Sequence, residues 1–173
     1  MFGHEKKIKD TYDVDRVLVN SGLCYAQLKD FSNAKIFVDS ALQICGAKCS
    51  NRVTMDAAYA LGVIHLGLKQ FDAAENQFLI SFEKSKLAKD IRFQLDNIYL
   101  LSEISMIKNQ DQKAAIYLAE AEDIISTDAS YRLELIKIYF RLFSYIPNTK
   151  ILKRWLFTNR SIYSSRIVLL MNK

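Results

Sequence analysis

One proline and five glycines in 173 residues are too few for the turns of an all-β chain of this length. Helices joined by short connections are the alternative. No uninterrupted apolar window of about 18 residues occurs, so no transmembrane helix is expected. The opening MFGHEKKIKDTYDVD has no hydrophobic stretch of the kind a secretory signal requires. Cysteine is also scarce: Cys24, Cys45 and Cys49 are an odd number without a signal peptide. That fits reduced thiols and a cytoplasmic location. The CGAKC run at 45–49 offers two soft ligands where a closed zinc site needs four. His4 and His65, the only histidines, are not spaced as a ligand pair. Structural cysteines near a helix end are the expectation, with no metal.

Catalytic signatures are missing too. There is no G-x-S-x-G, no phosphate-cradling glycine loop, no H-E-x-x-H and no cysteine with an evident histidine base. His65 reads as a packed or hydrogen-bonded side chain rather than a proton-transfer group. Asp96 and Glu103 stand two helical turns apart and read as solvated carboxylates. The expectation is a non-enzymatic protein without cofactor.

What the chain does have is internal repetition. Residues 40 apart match in kind: Gly22, Gly62 and Ser102; Ala34, Ala74 and Ala114; Ala41, Ser81 and Ala121; Val38, Phe78 and Leu118. The joins KDFSNA, KQFDAA and NQDQKA lie at the same period, and a fixed period of this size marks a repeat array. Apolar residues recur at helical spacing before and after each join. This predicts helix pairs 13–28 with 31–46, 52–68 with 71–88, and 90–108 with 111–126. Short joins make the two helices of a pair antiparallel neighbours.

A glycine inside a helix costs roughly 1 kcal/mol relative to alanine, so close helix packing must offset it at Gly22 and Gly62. The small residues at the matched positions are therefore the expected packing contacts. Gly67 has no counterpart, because Gln27 and Ile107 occupy its slot, and the repeat pattern offers no packing reason for it.

The pattern LG at 61–62 with Ala74, Phe78 and Ser81, and Gly22, Tyr25, Ala34 and Ala41 in the first copy, resembles the tetratricopeptide repeat. The third copy, LS at 101–102 with Ser105, is the weakest. The resemblance covers residues 13–126 and implies an all-α, right-handed superhelix of antiparallel helix pairs, three clear repeats and a divergent fourth. The chain then divides into a polar lead at 1–12, repeats at 13–50, 51–89 and 90–128, and a basic helical pair or cap at 129–173. The period departs from the usual 34 residues, with the second helix or its exit lengthened. That lengthening resembles the peptide-sensing repeats of bacterial cytoplasmic regulators of the RNPP superfamily.

The resemblance implies a concave groove lined by the first helix of each pair. Its residues would be Arg16, Val19, Asn20 and Leu23, then Asp56, Tyr59, Val63 and Leu66, then Asp96, Tyr99 and Glu103, continued by Tyr139 and Phe143. Tyr59, Tyr99 and Tyr139 would form a ladder along it, each tyrosine giving a large contact area and one hydroxyl. A peptide or protein segment is the expected partner, and a signal-peptide sensor is the sharper form of that expectation. A scaffold or chaperone-like adaptor is the alternative. The lysine-rich clamp of repeat domains that hold a chaperone's terminal carboxylate is not reproduced, since Ala60 and Leu100 stand where Asn20 would recur.

Acidic residues end at Glu134. The last 39 residues carry a charge of +8, within a chain of net charge +5. A capping helix with a solvated basic side satisfies an array's need for an atypical end. Attraction to nucleic acid or an anionic membrane surface is a second reading, although no recognition motif accompanies the charge. Trp155, Phe157, Ile162, Tyr163, Ile167 and Leu170 offer enough apolar surface for a third, a homodimer through the C-terminal helices.

Overall fold

The computed structural model describes residues 4–127 and 129–131. Six α-helices follow one another without a strand among the described residues. They are α1 (His4–Gln27), α2 (Phe31–Cys45), α3 (Asn51–Gly67), α4 (Phe71–Ala88), α5 (Ile91–Ile107) and α6 (Asp111–Thr127). A 3-10 turn, Gly46–Lys48, stands between α2 and α3, and another, Ala129–Tyr131, follows α6. The fold is all-α and repeat-like. The chain forms two compact units, one up to Ile104 and one from Ser105.

Helix bounds fall within a residue or two of those read from periodicity, with one exception. Helix α1 begins at His4 rather than at residue 13. The added HEKKIKDTY contains no glycine or proline, so nothing in its backbone chemistry stops a helix there. The expected groove residues Tyr139 and Phe143, and the whole basic tail, lie outside the described residues.

The joins are built alike. Lys29, Lys69, Lys89 and Asn109 all have positive φ, between 54° and 62°. Each donates its amide three residues back, and the next residue donates five back. Lys69 N bonds Leu66 O at 3.0 Å and Gln70 N bonds His65 O at 2.8 Å. This is the Schellman arrangement that satisfies a helix's last carbonyls. The residue that completes it also begins the next helix. Asp30 accepts from Asn33 N at 3.1 Å, and Asp90 from Phe93 N at 3.1 Å, each filling an orphan donor of the first turn. One residue closes one helix and opens the next, which makes the turns short and the neighbours antiparallel.

The 40-residue period is reached in two ways. In the second repeat α4 continues to Ala88 before its Schellman turn. In the first, α2 stops at Cys45 and the connection runs through the 3-10 turn. There the structure corrects the expectation of free thiols: Cys45 and Cys49 are joined in a disulfide with their Cα atoms 4.7 Å apart. The tight turn brings them into the range of about 4.4–6.8 Å that a disulfide requires. Cys24 is free and exposed.

Within the first unit, α1 packs on α2, α3 packs on α4, and α3 also contacts both helices of the preceding pair. One core cluster joins Val19 and Ala26 of α1, Ala34, Val38 and Ala41 of α2, and Val53, Ala57, Ala60 and Ile64 of α3. A Cβ on Gly22 would sit 2.6 Å from Val38 Cγ2 and 3.0 Å from the Ala34 carbonyl oxygen. On Gly62 it would lie 2.5 Å from the ring of fully buried Phe78. Gly67 now has its reason: the Phe31 ring lies on it, and a Cβ would fall against that ring. This contact links the end of α3 to the start of α2, across the boundary between repeats.

In the second unit α6 buries Ala114, Tyr117, Leu118, Ala121 and Ile125. Their three-to-four-residue spacing is one helical face. Ser102, the small residue of the third copy, belongs to the first unit and donates its hydroxyl to Ile98 O at 2.8 Å.

Candidate functional site

The exposed row formed by the first helices of successive pairs is the candidate. Residues 56, 59, 63 and 66 share one face of α3 by helical spacing. Helix α1 lies beside α3 on one side. On the other, α5 is tied to α3 by side chains. Tyr59 meets Phe93 edge-to-face with ring centroids 5.1 Å apart, and Phe78 of α4 at 5.7 Å. Two aromatic neighbours fix the Tyr59 ring while leaving it half exposed. A partner would therefore meet a ring already ordered.

At the N-terminal end of α3, Arg52 organises a charged network. Its Nε donates to Asp56 Oδ2 at 3.0 Å, and its Nη1 to Asp90 Oδ2 at 3.0 Å. Its guanidinium carbon lies 5.6 Å from the centroid of Phe93, within cation–π range. Arg52 thus fastens the start of α3 to the start of α5, the second repeat to the third.

Asp56 is 95 % buried, at 5 % relative exposure, and its Oδ1 has no hydrogen-bond partner. Burial raises its pKa. The hydrogen bond and attraction from Arg52 act in the opposite sense but do not overcome burial, and repulsion from Asp90 adds to the rise. For Arg52, burial is the largest single influence and lowers the pKa. The hydrogen bonds and attraction of Asp56 and Asp90 together outweigh it, so the net direction is upward. The guanidinium stays charged, while the carboxylate is held in a state that a hydrogen-bond donor would relieve.

The expected groove residues divide by accessibility. Arg16, Asn20 and Asp96 are exposed, and Leu23, Tyr59, Val63, Leu66 and Glu103 are half-buried. Val19 has no exposed surface and belongs to the core cluster. Tyr99 is 6 % exposed, so it stands in the wall rather than on it. Sequence reasoning passed over Arg52, Asp90 and Phe93. An arginine four residues before Asp56 was a visible signal, and a KD pair before a helix start was another. The packing of Phe93 on Tyr59 was not visible, because it crosses between repeats.

His65, the one described histidine outside the start of α1, has Nδ1 2.6 Å from Gln70 Oε1. That contact spans the α3–α4 turn and gives the ring a structural task. Among the described residues no group of three or more His, Cys, Asp or Glu is placed to hold a metal ion. No helix there is long and apolar enough to cross a membrane.

A family model, described as tetratricopeptide repeat, matches residues 15–47. These residues span the second half of α1, all of α2 and the start of the turn that follows it. No curated protein matches the chain. The matched first repeat and the helical-repeat architecture together support a tetratricopeptide-repeat protein, a fold that typically serves as a non-catalytic scaffold for protein–protein interaction.

Proposed function

We propose that the face formed by α1, α3 and α5 binds an extended peptide or protein segment. The observation that carries this reading is the Tyr59 ring, held between Phe78 and Phe93 in a row that combines apolar and polar groups. Leu23, Val63 and Leu66 supply apolar contact beside Asn20, Asp96 and Glu103. Rigid aromatic anchors flanked by polar groups are the usual composition of a binding hot spot. A segment spanning the row would contact two or three repeats at once and so favour one arrangement of them.

The sharper form is a cytoplasmic sensor of a short signal peptide, which the lengthened repeat supports by its resemblance to the RNPP regulators. The test is selection from a displayed library of short random linear peptides, followed by affinity measurement on the purified chain. Asn20→Ala and Leu66→Ala each lie at accessible positions and should each weaken the selected peptide roughly tenfold, about 1.4 kcal/mol. Ile36→Ala, at an exposed position of α2, should leave affinity unchanged. Equal affinity in all three variants would place binding elsewhere.

A further inference from the structure

The CGAKC segment has no part in the groove, and it is where the first repeat departs most from the second. Forty residues on, Ser85 and Lys89 occupy the slots of Cys45 and Cys49. There α4 runs on to Ala88, and buried Ser85 donates to Phe82 O at 2.6 Å. In the first repeat the equivalent helical turn is replaced by a closed covalent ring around Gly46–Lys48. Cys45 packs against the core cluster shared by α1, α2 and α3. Cys49 lies one residue before Ser50, whose hydroxyl caps α3 by accepting from Val53 N at 3.1 Å. The ring thus sits where α2 hands over to α3, with Gly46, Ala47 and Lys48 exposed around it.

We propose that Cys45 and Cys49 are a reversible thiol–disulfide couple that locks the connection between the first two helix pairs. The oxidant class is a low-molecular-weight disulfide, RSSR. Cys49 gives up its proton to solvent and attacks one sulfur of RSSR. The S–S bond breaks, one RS⁻ leaves and is protonated, and a mixed disulfide Cys49–S–S–R remains. Cys45, deprotonated in turn, attacks the Cys49 sulfur and expels the second RS⁻. Two protein thiols are oxidised and one RSSR is reduced to two RSH. Excess RSH runs the same steps backwards.

The order of attack follows from the two helix ends. Cys49 stands at the N-terminal side of α3, where the helix's partial positive charge favours a thiolate. Cys45 is the last residue of α2, where the partial negative charge disfavours one. The exposed turn gives small reagents access. A ring this short removes less unfolded-chain entropy than a long one, which suits a bond that opens again.

The test uses the full chain carrying Cys24→Ser, which removes the exposed free thiol. The reduced chain is mixed with oxidised glutathione, quenched in acid and weighed by intact-mass spectrometry. The expected product is two hydrogens lighter than the reduced chain and takes up no alkylating agent. Excess reduced glutathione should restore two alkylatable thiols. Adding Cys45→Ser should trap a glutathione adduct at Cys49, and adding Cys49→Ser should slow adduct formation roughly tenfold.

Amide hydrogen exchange at residues 46–50 should be faster in the reduced chain. Two glutathione adducts without closure, or two thiols still alkylatable, would overturn the couple. A bond that excess reduced glutathione cannot reopen would overturn its reversibility. Identical exchange in both states would overturn the lock.

Discussion

At Gly62 a new Cβ would meet the Phe78 ring at 2.5 Å, and Phe78 is fully buried, so the ring cannot give way toward solvent. The helix-propensity gain of about 1 kcal/mol from Gly62→Ala therefore competes with an overpacking cost of about 1–3 kcal/mol. Net destabilisation is expected, read as a lower urea midpoint. Gly67→Ala meets Phe31 instead, a half-buried ring whose far end can swing toward solvent. Its midpoint should fall less than that of Gly62→Ala. The reverse order would mean that Phe31, not Phe78, is the immovable neighbour.

Asp56 ties stability to pH. Burial lifts its folded-state pKa above the ordinary value of 3.8, so between the two values the folded chain holds a proton that the unfolded chain has released. The stability this proton contributes is present below the unfolded value and is lost as pH rises through the folded one. Asp56→Asn keeps the shape without the charge and leaves Arg52 paired with Asp90. The variant should gain on the wild type at neutral pH, with the difference shrinking on acidification. Urea titrations at neutral and acidic pH measure this; an asparagine variant weakened by the same amount at both would contradict it.

At the scale of elements, the joins define the array. Among the described residues, three of the four non-glycine positions with positive φ are lysines, a conformation that an L-residue with a side chain tolerates poorly. Lys69→Gly should therefore stabilise the α3–α4 turn by roughly 0.5–1 kcal/mol. A thermal melt would show it as a higher Tm. Asp30→Ala removes the side-chain acceptor for Asn33 N and should cost about 1 kcal/mol. The same melt should fall. The two variants, in different turns, separate the two tasks: a left-handed residue that closes one helix and a side chain that caps the next.

At the scale of the molecule, what repeats was legible and what occurs once was not. The 40-residue matches located the six helices, the start of α1 excepted, because each matched position meets the same kind of neighbour in every copy. Gly67 against Phe31 has no sibling, so periodicity was silent about it. Among the joins between the described helices, Cys45–Cys49 occupies the one that does not use the common turn, and two cysteines four apart are equally compatible with free thiols until the turn is seen to bring them together.

The candidate face was legible as a set of slots, but accessibility within a slot was not. Val19, Tyr59 and Tyr99 share a slot, yet Val19 is in the core, Tyr59 is half exposed and Tyr99 is nearly covered. Neighbouring repeats decide that. The Arg52–Asp90 bond arises the same way, from residues 38 apart that only stacking brings together.

If α1, α3 and α5 present a peptide-binding face, a bound peptide must perturb that face and leave α2 and α4 largely untouched. Backbone amide chemical shifts of the isotope-labelled chain, followed while a library-selected peptide is added, test it most directly. Shifts should concentrate at residues 20, 23, 59, 63, 66 and 103. Shifts concentrated instead at the exposed Ile36, Ile44, Ile80 and Leu87 of α2 and α4 would contradict it.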